Sequence, residues 1–260
     1  MSFAPPVVIG NWKMNGLRAD GAARVRDLLE RQQARPGTGT LGVCPPATLL
    51  IPLEPLLRDS AILLGGQDCA SVPKGAHTGD LSAPMLADAG CRMVIVGHSE
   101  RRHGHGESDE EVRAKAAAAH AAGLAAILCI GETEEEWGAG RTLEVLDRQL
   151  EGSLPGGATP ENLILAYEPV WAIGSGRTPG IDEIARAHGH LRARLERLLA
   201  AGERVPILYG GSVKAANAGA ILAIEHVDGA LVGGASLDAA EFFAIYEAGQ
   251  APDAGPGESS

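Results

Sequence analysis

A single-domain α/β barrel of eight strand–helix units, (β/α)8, is predicted by three observations. Eight short apolar runs recur along the 260 residues with Ala-rich and Leu-rich amphipathic stretches between them, the pattern of a parallel sheet with crossover helices. A closed barrel of this kind commonly takes about 250 residues. Hydrophobic residues make up 45% of the chain and aromatic residues only 3%, so the core must be built from Ala, Val, Ile and Leu, as in parallel strands covered on both faces. An open doubly wound sheet would share the alternation, but no Gly-x-Gly-x-x-Gly fingerprint follows the first run.

Taken in order, the runs fall at 7–10, 41–44, 62–67, 93–97, 125–130, 163–167, 207–209 and 230–232. Each is short and rich in Val, Ile, Leu or Ala, and each leads to a turn residue. Helical periodicity follows at about 17–34, 46–58, 82–90, 108–122, 134–152, 182–202, 214–223 and 238–248. The Pro/Gly clusters are short and sit between a strand and a helix, so one domain is expected over 1–249. The last stretch, 250–260, is rich in Pro, Gly and Ser with little to bury, and a disordered tail is expected there.

The net charge of −11 argues against nucleic acid and anionic membranes as partners, while still allowing a local positive pocket for an anionic substrate. Cys44, Cys69, Cys91 and Cys129 show no metal-type spacing and read as reduced core thiols of a cytoplasmic protein. The first residues run directly into Pro5-Pro6-Val7, and eighteen uninterrupted apolar residues occur nowhere, so neither export nor a membrane span is expected.

In such a barrel the C-terminal ends of the strands converge on one mouth. Those ends carry Asn11-Trp12-Lys13, His98-Ser99-Glu100, Glu168, Gly210-Gly211-Ser212 and Gly233-Gly234. Glu168 closes an apolar strand and is followed by Pro169, which cannot extend the pairing. The next residues, Val170, Trp171, Ala172 and Ile173, are apolar where loops are normally polar. Gly174, Ser175 and Gly176 then give the backbone freedom before Arg177 and Thr178. That composition suits a lid over a site, rooted at Glu168. The two Gly-rich turns leave strands seven and eight and enter helices, where bare N–H groups favour phosphate.

The segments Asn11-Trp12-Lys13-Met14-Asn15, His98-Ser99-Glu100-Arg101-Arg102, Gly106-Glu107-Ser108-Asp109, Cys129-Ile130-Gly131-Glu132, 166–178, 209–213 and 233–237 resemble the triosephosphate isomerase family from about residue 7 to residue 247. That family is a well-known case of a carboxylate base, a neutral histidine and a closing loop acting together. The resemblance implies a TIM barrel interconverting dihydroxyacetone phosphate and D-glyceraldehyde 3-phosphate through an enediolate, without cofactor or metal, in glycolysis and gluconeogenesis. It implies Glu168 as base, His98 as neutral electrophile and Lys13 as the cation facing the enediolate and phosphate, with Asn11 orienting it. Ser212 and the N–H groups of Gly174, Gly233 and Gly234 are implied to grip the phosphate. Glu100 is expected to organise Lys13, and Glu107 and Arg102 to support the fold. The long 68–81 loop is implied to dock into a second subunit with Thr78 near the neighbour's site, giving a homodimer.

The sequence departs from the family pattern at Asp68, His77, Asp80, Gly104-His105 and Pro179. Pro179 restricts Thr178 to extended geometry, which predicts a stiffer far hinge. His103 and His105 lack a third convergent ligand, and His188 and His190 lie on different helix faces, so no metal site is expected. Another phosphate-binding barrel enzyme would share the Gly-rich turns without needing Asn11-Trp12-Lys13 or the lid. A catalytically silent sugar-phosphate binder would not need every catalytic position filled.

Overall fold

In the computed structural model, which describes residues 2–173 and 177–250, the eight apolar runs become the strands of a closed parallel barrel in sequential order. The strands are β1 Val7–Asn11, β2 Thr40–Cys44, β3 Ile62–Gly66, β4 Met93–Val96, β5 Ala125–Ile130, β6 Leu163–Tyr167, β7 Ile207–Tyr209 and β8 Gly229–Val232. The ladder closes where Val7 of β1 pairs with Gly229 of β8.

Helices cover the outside: α1 Arg18–Ala34, α2 Ala47–Leu57, α3 Ala83–Asp88, α4 Ser99–Gly104, α5 Asp109–Ala121, α6 Glu134–Gly138, α7 Thr142–Ser153, α8 Ile181–Leu198, α9 Ala215–Leu222 and α10 Ala239–Ala248. The expected helix over 134–152 is two helices, because the chain turns through Gly140 at φ +70°. The helix expected over 182–202 ends at Leu198. Helix α4, which the sequence did not predict, is short and polar, so it carries too little apolar periodicity to be read.

Alternation along the strands separates two cores. One set, including Val7, Ile9, Met93, Ile95, Ile127, Cys129, Ile164, Ala166, Leu208 and Leu231, fills the barrel. The other packs the strands against the helices, with Phe242 and Phe243 of α10 among its largest members. Continuing the inward set by two toward the mouth reaches Asn11 after Ile9, Gln67 after Leu63 and Gly65, and Glu168 after Ala166. The same step reaches glycine at 97, 131, 210 and 233. Small residues leave the mouth hollow, and the few polar ones face the hollow.

Below the mouth, Arg102 ties α4 to the barrel, donating to the carbonyls of Gly97 and Cys129 and pairing with Asp109 at 2.6 Å. Glu107 accepts from Arg101 and Lys115, each at 2.5 Å. Both therefore brace the fold as expected. All four cysteines are buried and free, and burial pushes the Cys69 and Cys91 thiols up to about 12. Gln250, expected to belong to the tail, instead accepts from the Thr38 N–H at 3.1 Å; residues 251–260 lie outside the described residues.

Candidate active site

Glu168 ends the inward series of β6 and is only 2% exposed. Its Oε1 lies 2.9 Å from His98 Nε2, and its Oε2 accepts from the Ser99 N–H at 2.9 Å. Gly210 makes room for it: a Cβ there would come within 2.9 Å of Glu168 Cγ. Burial pushes the carboxyl up, but His98, the Ser99 N–H and Lys13 together hold it below the usual carboxylate range.

His98 reaches this partner because Gly97, at φ +66°, turns the chain out of β4 in a conformation that favours glycine. His98 then caps α4, its Nδ1 accepting from the Glu100 N–H at 3.2 Å. A nitrogen that accepts has a lone pair, so the neutral ring carries its proton on Nε2, toward Glu168. Burial pushes the imidazole down, and the neighbouring Glu168 carboxylate outweighs it and raises its proton affinity. That upward pull lasts only while Glu168 faces His98.

Lys13 follows β1 in the left-handed region at φ +52°, an uncommon conformation for a residue with a side chain. Its backbone is held on both sides: the Lys13 N–H donates to Asn11 Oδ1 at 3.0 Å, and Gln67 Nε2 donates to the Lys13 carbonyl at 2.8 Å. Asn11 thus orients the lysine through its backbone. The ammonium lies 2.7 Å from Glu100 Oε1. Backbone strain kept in place by two side chains aims Lys13 at the mouth.

These groups border a cavity of about 290 Å³ lined by Asn11, Lys13, His98, Glu168, Ile173, Gly210, Ser212, Gly233 and Gly234, among others. The N–H groups of Ser212, Gly233 and Gly234 find no backbone acceptor among the described residues. They lie on the side of the cavity where Lys13 also reaches, a Cβ at Gly233 falling 3.6 Å from Lys13 Cε, an arrangement suited to an anion. The cavity thus brings a buried carboxylate, a histidine and a lysine together with unpaired backbone N–H groups.

A model of the triosephosphate isomerase family matches residues 6–249. The chain is 55% identical over 247 residues to the triosephosphate isomerase of a Ruegeria species, covering 95% of this chain and 98% of that one. It is 54% identical over 250 residues to the enzyme of Afipia carboxidovorans, covering 94% and 97%. The crystal structure of triosephosphate isomerase from Bartonella henselae superposes with a TM-score of 0.87 at 44% identity, covering 94% of this chain and 98% of that one. The chain belongs to the triosephosphate isomerase family.

On this triosephosphate isomerase fold, Asn11, Lys13, His98, Glu168, Ser212, Gly233 and Gly234 gather at one cavity, with Glu100 behind Lys13. Of the lid, 169–173 and 177–178 are described and Gly174, Ser175 and Gly176 lie outside the described residues, so the expected Gly174 contact does too. Thr78 is exposed and away from this cavity. Pro179 is buried.

Sequence reasoning missed Gln67, the Ser99 N–H and Lys214, which also lines the cavity. Gln67 carried a usable signal, being a polar residue two steps beyond an inward series. Among the described residues no group of three or more side chains is placed to hold a metal. His188 is buried with Nδ1 3.0 Å from the His226 carbonyl, and burial pushes it down to about 4. His190 pairs with Asp147 at 2.8 Å. No described helix is long and apolar enough to cross a membrane.

Proposed function

We propose that the enzyme interconverts dihydroxyacetone phosphate and D-glyceraldehyde 3-phosphate through an enediolate, with Glu168 as the base. The observation that carries this reading is a buried carboxylate in contact with a histidine N–H, both bordering a cavity that is also lined by Lys13 and by the Ser212, Gly233 and Gly234 backbone, whose N–H groups have no backbone acceptor among the described residues. Phosphate sits at Ser212, Gly233 and Gly234, which leaves the carbonyl and its neighbouring carbinol carbon toward Glu168 and His98. The carboxylate turns from His98 to the substrate, removes the carbon-bound proton and returns it to the adjacent carbon. His98 Nε2–H, freed from Glu168, donates to the substrate oxygens. With the carboxylate no longer opposite, burial and the Glu100 N–H both favour the neutral ring. Lys13 balances the negative charge that develops on oxygen. The 169–178 lid, closing over the phosphate, excludes water and so protects the enediolate from losing phosphate.

Proton transfer through a carboxylate has an isotopic consequence. In deuterium oxide, dihydroxyacetone phosphate is expected to yield glyceraldehyde 3-phosphate with deuterium at C2, read by proton NMR. Carbon-bound deuterium enters only where the Glu168 carboxyl proton exchanges with solvent before it is delivered, and its presence excludes direct hydride transfer between the two carbons. A label fraction unaltered in a residually active Glu168→Asp would remove Glu168 from the role of base.

A homodimer built on the 68–81 loop belongs to the same reading. A groove of about 580 Å³ opens beside Lys13, lined by Gln67, Glu100, Arg101 and Lys115 among others. Met14, which lines it, is 95% exposed. An exposed apolar side chain in a groove suits a protein partner, and the long loop has the reach to fill the same groove on a second copy. Sedimentation equilibrium is expected to give twice the chain mass for the parent and the chain mass for Thr78→Arg. A monomeric parent would refute the dimer.

A further inference from the structure

Next to the catalytic cavity, and separate from it, two indoles stack. Trp137 at the end of α6 lies over Trp171 with ring centroids 4.3 Å apart and planes inclined by 25°. Trp171 stands three residues after Glu168, at the start of the 169–178 segment, and is 7% exposed. Its Nε1 donates to Glu132 Oε1 at 2.8 Å. Trp137 is anchored from a different element, donating through Nε1 to Glu183 Oε1 of α8 at 3.2 Å. The far side of the segment reaches the same short helix: Arg177 pairs with Glu134 at 2.8 Å and lies 5.7 Å from the Trp171 ring centroid. Helix α6 is itself firm, because Thr133 and Glu136 form a capping box and Arg148 of α7 donates to Glu136 at 3.3 Å. One five-residue helix thus grips both described sides of the lid, and none of its side chains borders the catalytic cavity.

We propose that Trp137 is a positioning residue for the isomerase: its stack on Trp171 holds the lid root in the arrangement where Glu168 is turned to His98 and Ser99, taken as the open one, and closure over ligand separates the two rings. The proposal rests on reading 169–178 as a lid. A second cavity of about 310 Å³ borders the stack, lined by Glu132, Trp137, Leu143, Tyr167, Trp171 and Glu183 among others, and gives the indole room to turn. Whatever stabilises the open arrangement alone must be given up when ligand binds, so it lowers apparent affinity. Trp137 is uncharged and outside the catalytic cavity, so replacing it leaves the field on an anionic ligand unaltered.

Stacked indoles couple excitonically and give a signed doublet in far-ultraviolet circular dichroism. The parent minus Trp137→Phe difference spectrum is expected to contain that doublet without ligand and to lose it on saturation with 2-phosphoglycolate, a phosphate-bearing carboxylate that resembles the enediolate. By calorimetry, Trp137→Ala is expected to bind 2-phosphoglycolate about 2- to 10-fold more tightly than the parent, the range an aromatic pair is worth. Glu134→Gln should move affinity the same way, and Trp137→Phe should fall between parent and Trp137→Ala. A thermal melt of each variant establishes that the compared proteins are folded. A doublet that survives saturation overturns the proposal, as does equal or weaker binding by folded Trp137→Ala or, should that variant not fold, by Trp137→Phe. Either result can occur in an active isomerase that incorporates deuterium, so failure here is distinct from failure of the isomerase reading.

Discussion

Glu168→Gln is expected to lower kcat by about 10²- to 10⁴-fold, the contribution typical of a positioned general base, with little change in KM. The substitution suits its surroundings in size. Glu168 is almost fully buried, and the amide has nearly the carboxylate's volume, so no cavity opens. The amide can satisfy only one of its two neighbours: its oxygen can accept from the Ser99 N–H or from His98 Nε2–H, and turning His98 to its other tautomer would set Nδ1–H against the Glu100 N–H from which Nδ1 now accepts. What disappears is basicity. The phosphate wall at Ser212, Gly233 and Gly234 is untouched, which is why binding should persist while turnover falls. Glu168→Asp retains the charge but withdraws it from the substrate carbon; a misplacement near 1 Å can cost about 10²-fold. Steady-state assay of purified variants in both directions decides the matter. A Glu168→Gln enzyme within tenfold of the parent would place the base elsewhere.

Lys13→Met should be nearly as damaging, with kcat/KM reduced by about 10²- to 10³-fold, the effect of removing one preorganised group that stabilises a developing oxyanion. Methionine keeps the aliphatic stem and removes the charge. In the proposed function Lys13 serves both the reacting oxygens and the phosphate, so a rise in KM should accompany the fall in kcat, unlike Glu168→Gln. The protein should remain as stable as the parent, because the partner left behind, Glu100, is 57% exposed and stays hydrated. Glu100→Gln should cost less than Lys13→Met, since it frees the ammonium without removing it. Equal losses in the two variants would mean that Glu100 itself takes part in proton transfer, contrary to its proposed role in placing Lys13.

How much of this was legible differs by residue. The eight runs were read because a parallel strand covered on both faces must be apolar on both, and that leaves a mark in any short window of the sequence. Glu168 was readable because it closes an apolar strand, stands before Pro169, which cannot extend the pairing, and opens a loop that is apolar where loops are normally polar. The structure adds that it follows Ile164 and Ala166 of the inward set at a spacing of two. The Gly-rich turns were readable because a backbone that is to approach an anion must lack side chains. Helix α4 was not, as its arginines are spent on contacts with Asp68, Glu107 and Asp109 rather than on an apolar face.

The sequence by itself, through its eight apolar runs, its length and composition, and the residues that follow each run, determined the barrel, the end at which the site lies and Glu168 as its candidate carboxylate. Only closure of the barrel decided the partners: that Glu168 meets the Ser99 N–H sixty-nine residues away, that Gln67 holds the Lys13 carbonyl and that Trp137 lands on Trp171. The reason is physical. A spacing of two tells which way a side chain points, a property of one strand. Which group it meets depends on the register and tilt of strands that pair across the whole barrel, and on turns such as that at Lys13, whose left-handed backbone is set by contacts rather than by local preference.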